Sequence, residues 1–193
     1  MMKSKVTVFL DLDGVIVDWY NGLREFAGKP PEIYDIFRDD PMLLSFEAIT
    51  NIYGGHEDLT KLQASQSSSF WIDLKTHPWS DYLIQSLQKK FSVAFLTSPG
   101  NFPISAQGKM EWQKIRYPDI PILITKHKYM ASAPNKILID DDDWQLTRFD
   151  QAGGMAIKWP NQFELEKVCN DDTITKLIDI VIKTIEQYQQ ALT

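Results

Sequence analysis

The sequence has a single cysteine, Cys169. No disulfide can form within the chain, which fits a reducing compartment and predicts a cytoplasmic protein. Cys169 itself reads as a small residue near a helix. No apolar run approaches the roughly 20 residues needed to span a bilayer, so no membrane role is expected. The first apolar run is cut at Asp11, too short for the core of a signal peptide. Basic residues are scarce as well: 20 Lys and Arg stand against 26 Asp and Glu, a formal net charge of −6. Nucleic acid is therefore a poor partner for the surface as a whole, while a local basic pocket for one phosphate is allowed. Internal repeats are missing, and the serine-rich stretch from Ser65 to Ser69 is the one low-complexity patch, read as a turn.

What is present suits a globular protein. The chain has 193 residues, 44% of them apolar, enough for one compact domain with a small insertion. Val6 to Leu10 is β-branched and aromatic and bounded by charge, the pattern of a buried strand. Phe91 to Leu96, Ile120 to Ile124 and Lys136 to Ile139 read alike, and Met155 to Trp159 reads as a weaker fifth strand. Near-continuous apolar runs of this kind belong to a sheet covered on both faces. Helical patterns lie between them. One carries Tyr82, Leu83 and Leu87; a second, capped by Ser105, carries Trp112 and Ile115. A third presents Ile174, Leu177, Ile178, Val181 and Ile185 on one face. Alternating strands and helices predict an α/β fold with a parallel sheet.

Residues 28–77 break this rhythm. They carry Pro30-Pro31, Gly54-Gly55 and many aromatics, among them Tyr34, Phe37, Tyr53, Phe70 and Trp71, but no clear strand. The expectation is a small, mostly helical cap over 28–77, inserted into a core formed by 1–27 and 78–193.

The chemistry is carried by strand ends. Asp11-Leu12-Asp13-Gly14 follows the first strand, and ligands of open α/β sheets bind beyond the carboxyl ends of strands. Two acids so placed repel unless a cation lies between them, and a hard cation such as magnesium meets that need. An Asp-x-Asp loop alone is common. A second acidic cluster, Asp140 to Asp143, ends another apolar strand, and a shared metal site explains both better than two solvated turns. Thr97 and Ser98 end a third strand, where hydroxyls and free backbone N–H groups can take phosphate oxygens. Lys109, Lys126 and Lys128 are candidates to offset phosphoryl charge. Asp142 and Asp143 could hold outer waters of a metal or cap a helix at Trp144.

Asp11-Leu12-Asp13-Gly14, then Thr97, then a lysine, then Asp140-Asp141 resembles the four-motif series of the haloacid dehalogenase (HAD) superfamily. Within it the chain looks most like the 5′(3′)-deoxyribonucleotidases. The shared motifs are Asp18-Trp19 after the first loop, Phe70-Trp71-Ile72-Asp73-Leu74, Thr97-Ser98-Pro99, Lys109 with Trp112, and Leu138 to Asp141. The resemblance implies a HAD-like Rossmannoid three-layer sandwich and a magnesium-dependent phosphatase acting on a small phosphate ester, a deoxynucleotide in particular. Asp11 would be the nucleophile and Asp13 the general acid and base. Magnesium would be held by Asp11, the backbone carbonyl of Asp13 and Asp141, with Asp140 in support. Thr97 and Lys128 (with Lys126 as rival) would bind the phosphoryl oxygens, Ser98 and Lys109 the substrate phosphate. Trp19, Phe70 and Trp71 would line a base pocket. A phosphatase of nucleic-acid ends and a non-catalytic receiver-like module are the alternatives. The late position of Asp140-Asp141 disfavours the second. A homodimer is left open.

Overall fold

The computed structural model describes residues 6–168 and 171–192. The reading of Cys169 lies outside the described residues. All five expected strands form: β1 (Thr7–Leu10), β2 (Ser92–Thr97), β3 (Ile122–Ile124), β4 (Lys136–Asp140) and β5 (Met155–Lys158). They pair in parallel in the order β3-β2-β1-β4-β5, so β1 is central. Between β1 and β2 lie α1 (Trp19–Phe26), α2 (Asp35–Asp39), α3 (Phe46–Ile52), α4 (His56–Ala64), α5 (Ser68–Asp73) and α6 (Ser80–Gln88). α7 (Pro103–Arg116) links β2 to β3 and α8 (Asp143–Gln151) links β4 to β5. α9 (Gln162–Val168) and α10 (Asp171–Ala191) complete the elements among the described residues.

Both sheet faces are covered. Val8, Leu10, Phe95, Ile137 and Ile139 point to one side, where they meet Leu83, Leu87 and Trp112 and the apolar stripe of α10. Their neighbours Phe9, Ala94, Leu96 and Leu138 point to the other and pack on Leu146 and Phe149 of α8. Side chains alternate across a strand, so burial on both faces is what makes the strand sequences apolar throughout. One helix start differs from expectation. α7 begins at Pro103, whose fixed φ suits the first helical position, and Ser105 sits inside the first turn with its hydroxyl donating to the Phe102 carbonyl at 2.6 Å.

The helical segment between β1 and α6 has an apolar cluster of its own. Leu23, Tyr34, Phe37, Ile49, Tyr53 and Leu59 gather around Phe163 of α9, and the Tyr34 and Tyr53 hydroxyls bond at 2.7 Å. The chain enters and leaves this segment along one seam. Asp18 N–H donates to the Lys75 carbonyl and His77 N–H to the Ile16 carbonyl, both at 2.9 Å. α5 leans the other way, onto α7: a side chain at Gly108 would collide with Trp71.

Candidate active site

β1 lies between β2 and β4, so the carboxyl ends of three adjacent strands bring Asp11, Thr97 and Asp140 together. Asp11 is 7% exposed and its N–H still donates to the Ile139 carbonyl at 3.0 Å, which continues the ladder. The chain then turns sharply through Gly14 at φ +85. That conformation suits glycine. The position is also closed by contact, since a Cβ at Gly14 would run into the Asp141 carboxylate. The two acidic loops therefore press against each other.

Lys128 holds them. It lies in a 3-10 turn, Lys128–Ala131, is 2% exposed, and places Nζ 2.6 Å from Asp11 Oδ1 and 2.7 Å from Asp140 Oδ2. Burial works against its charge, but Asp11 and Asp140 outweigh burial and push its pKa up. Lys126, the rival by spacing, is exposed. Asp140 is fully buried with both oxygens engaged: Oδ2 by Lys128 and Oδ1 by the Asp142 N–H at 3.0 Å. Its burial, with Asp11 adding and Lys128 opposing, pushes its carboxyl up to about 7. Burial, then Asp140 and Asp11, also raise Asp141 well above the usual carboxylate range.

One oxygen from each of Asp11, Asp140 and Asp141 lies within 4.8 Å of the others. Lys128 offsets only one of these charges, and the donors are all oxygen. The residues fit a hard divalent cation, which would lower the energy of the crowded carboxylates.

On the other side of Asp11, Lys109 reaches in from α7. Its Nζ donates to Asp13 Oδ2, to Thr97 Oγ1 at 3.2 Å and to the Ser98 carbonyl at 2.8 Å. Burial raises the Asp13 pKa; Lys109 pulls it back and Asp11 adds to the rise. The Trp71 ring lies 5.1 Å from the Lys109 ammonium. Asp13, Trp19 and Ser98 line a cavity of about 560 Å³ with Asp11, Lys128 and Asp141. Trp19, Trp71 and Asp13 line a smaller cleft of about 190 Å³ beside it.

Phe70 is elsewhere. It meets Phe26 edge to face at 5.2 Å and lines a different cavity with Arg24. Phe70 and Trp71 follow one another on α5 and their rings meet edge to face at 5.1 Å, yet they line different cavities. Asp142 caps α8 by accepting from the Trp144 N–H at 2.9 Å, and Asp143 pairs with Lys158 at 2.8 Å on the surface. Tyr20 and Lys158 are cavity-lining residues that the motifs did not single out. Burial, then Asp141 and Asp13, hold the Tyr20 phenol well above its ordinary range, which leaves a neutral hydroxyl beside the carboxylates. Lys158 ends β5, and the strand-end logic applied to the other strands would have found it.

No family model and no curated protein matches the sequence. Solved structures do resemble it. A haloacid dehalogenase-like hydrolase from Streptococcus pneumoniae aligns over 81% of this chain and 85% of its own, with 16% identity and a TM-score of 0.50. A HAD hydrolase from Bacillus subtilis, solved with magnesium bound, aligns over 79% and 85%, with 14% identity and a TM-score of 0.51. A dehalogenase solved as an intermediate complex aligns over 82% and 86%, with 14% identity and a TM-score of 0.51. At such identities the likeness is one of fold: this chain has the HAD-like Rossmannoid α/β fold. Among the described residues no helix is long and apolar enough to cross a membrane.

Proposed function

We propose that the protein is a magnesium-dependent HAD phosphatase that hydrolyses the monoester of (deoxy)ribonucleoside monophosphates, in the manner of the 5′(3′)-deoxyribonucleotidases. The observation that carries this reading is the buried Lys128 bridge between Asp11 and Asp140, with Asp13 and Asp141 on either side. Asp11 would attack phosphorus in line with the departing oxygen and form an aspartyl-phosphate, dividing the reaction into two steps. Asp13 would give its proton to the leaving alkoxide and then take one from the water that cleaves the acyl phosphate. Its raised pKa suits the first of these tasks. Lys109, Lys128 and the Thr97 hydroxyl would bind phosphoryl oxygens. Asp11, Asp141 and the Asp13 backbone carbonyl would hold magnesium, with Asp140 fixed behind them. When bound, the ion supplies charge neutralisation and orientation of the phosphate. Residues 28–77 would act as a cap that excludes water.

A halide leaves without a proton, whereas an alkoxide needs one. A carboxyl placed beside the nucleophile therefore favours an oxygen leaving group over dehalogenation. Phosphate release from a panel of nucleoside monophosphates, sugar phosphates and a 5′-phosphorylated oligonucleotide, with and without magnesium, tests the proposal. The nucleoside monophosphates should be preferred. A preference for sugar phosphates removes the nucleotide assignment and leaves the phosphatase. A preference for the oligonucleotide points to nucleic-acid ends, against which the net charge of −6 argues.

A further inference from the structure

Two lysines reach the acidic run at the end of β4 from different sides. Lys128 grips Asp140 from the interior. Lys158 comes from the rim: it is the last residue of β5, an edge strand, and lies across the ladder from Asp140. Its Nζ donates to the Asp141 backbone carbonyl at 2.6 Å and pairs with Asp143 Oδ1 at 2.8 Å. The neighbouring positions are tied as well. The Asp140 carbonyl accepts from the Trp159 N–H at 2.8 Å, and the Asp142 N–H donates to Asp140 Oδ1 at 3.0 Å. The Lys158 bond fixes the carbonyl between them.

The Asp141 carboxylate is in a different position. Burial and neighbouring charges act on it, but it makes no side-chain hydrogen bond among the described residues. Gly14 bounds it on one side by contact alone. Its direction is therefore set by its own main chain, and Lys158 holds that main chain. Asp141 supplies one of the three carboxylate oxygens that lie within 4.8 Å of one another.

An ammonium beside a cation site has two opposite effects. Its charge repels the cation. Its hydrogen bond can aim a ligand. The Lys158 side chain is 45% exposed and shares its charge with Asp143, so water and the carboxylate screen the repulsion. The aim given to Asp141 is not screened. Magnesium demands near-ideal octahedral geometry, whereas calcium accepts irregular sets of oxygens. A fixed Asp141 therefore favours the smaller ion.

We infer that Lys158 is a positioning residue for the metal: through the Asp141 carbonyl it aims the Asp141 carboxylate, and so favours magnesium over larger divalent cations. The inference rests on the proposed function only in taking Asp141 as a metal ligand.

Isothermal titration with magnesium chloride and with calcium chloride, in the absence of substrate, tests this without any turnover. Lys158→Met should weaken magnesium about tenfold and calcium clearly less. Its urea midpoint should stay close to the native one, because an exposed ion pair contributes little to stability. Lys158→Arg, which keeps a donor and the charge, should hold magnesium within about threefold of the native protein, and Asp143→Asn, which leaves the carbonyl bond, should do the same. Unchanged or tighter magnesium binding in Lys158→Met would show that only its charge is felt and overturns the inference. So does an equal loss for the two cations, or a loss in Asp143→Asn as large as that in Lys158→Met. A native protein that binds neither cation overturns it together with the metal assignment. The predicted pattern of binding without phosphate release from any monophosphate sinks the phosphatase reading and leaves this one standing.

Discussion

The Lys128 ammonium lies 2.6 Å from Asp11 Oδ1, and Lys128 is almost entirely closed to solvent. A buried ion pair of this kind is not needed for stability as such, because apolar residues could fill the space. Removing one partner is a different matter. Lys128→Met leaves Asp11 and Asp140 facing each other uncompensated and should cost about 3–5 kcal/mol in urea denaturation. Lys128→Met combined with Asp140→Asn should recover part of that stability and none of the activity. Full stability in the single variant would show that the bridge is not formed.

Gly14 should tolerate no side chain. Gly14→Ala would strain a residue at φ +85 and displace the Asp141 carboxylate. The expected result is a modest loss of stability, about 1–2 kcal/mol, and a much larger loss of magnesium affinity, tenfold or more, read by titration calorimetry. Unchanged magnesium affinity would separate Asp141 from the metal site.

Magnesium should stabilise the fold by relieving the crowding of Asp11, Asp140 and Asp141. A ligand at one hundred times its dissociation constant contributes about 2.7 kcal/mol. The thermal midpoint should rise on adding magnesium, fall back with chelator, and respond weakly in Asp141→Asn. The absence of any shift in the native protein would contradict the metal assignment.

His77 gives a pH dependence away from the proposed metal site. It is 5% exposed, stacks on Trp79 at 4.4 Å, and lies on the seam where the chain returns from the helical segment. Burial, opposed by Asp18, pushes its pKa down to about 4. The unfolded chain binds the proton first, near its ordinary value of about 6.5. Stability from this residue is therefore complete above pH 6.5 and is lost as pH falls toward 4, by about 2 kcal/mol between pH 7 and pH 5. His77→Phe keeps a ring for stacking and should flatten that part of the urea-midpoint profile. A profile parallel to the native one would show that His77 is not responsible.

Much of this was legible in the sequence because strands buried on both faces announce themselves. Val8 and Phe9 point to opposite layers and both are apolar, so the strand positions, and with them the strand ends at Asp11, Thr97 and Asp140, could be read directly. What could not be read depends on rotation or on distant chain. Spacing left Lys126 and Lys128 open, since the choice turns on a short 3-10 turn after β3. Phe70 and Trp71 are neighbours in sequence and in ring contact, yet they line different cavities. Phe163 completes the apolar cluster of a segment more than a hundred residues earlier, a contact that no local pattern encodes. Gln66 fell within a serine-rich stretch read as a turn, where nothing signalled a buried amide.

The central claim is that Asp11 attacks phosphorus. It is tested most directly by acid-quenching the protein during turnover of a nucleoside monophosphate and mapping the phosphorylated residue by mass spectrometry, beside the same assay on Asp11→Asn. Phosphate carried by Asp11 in the native protein, with neither adduct nor phosphate release in the variant, is the predicted result. Undiminished turnover by Asp11→Asn would contradict it.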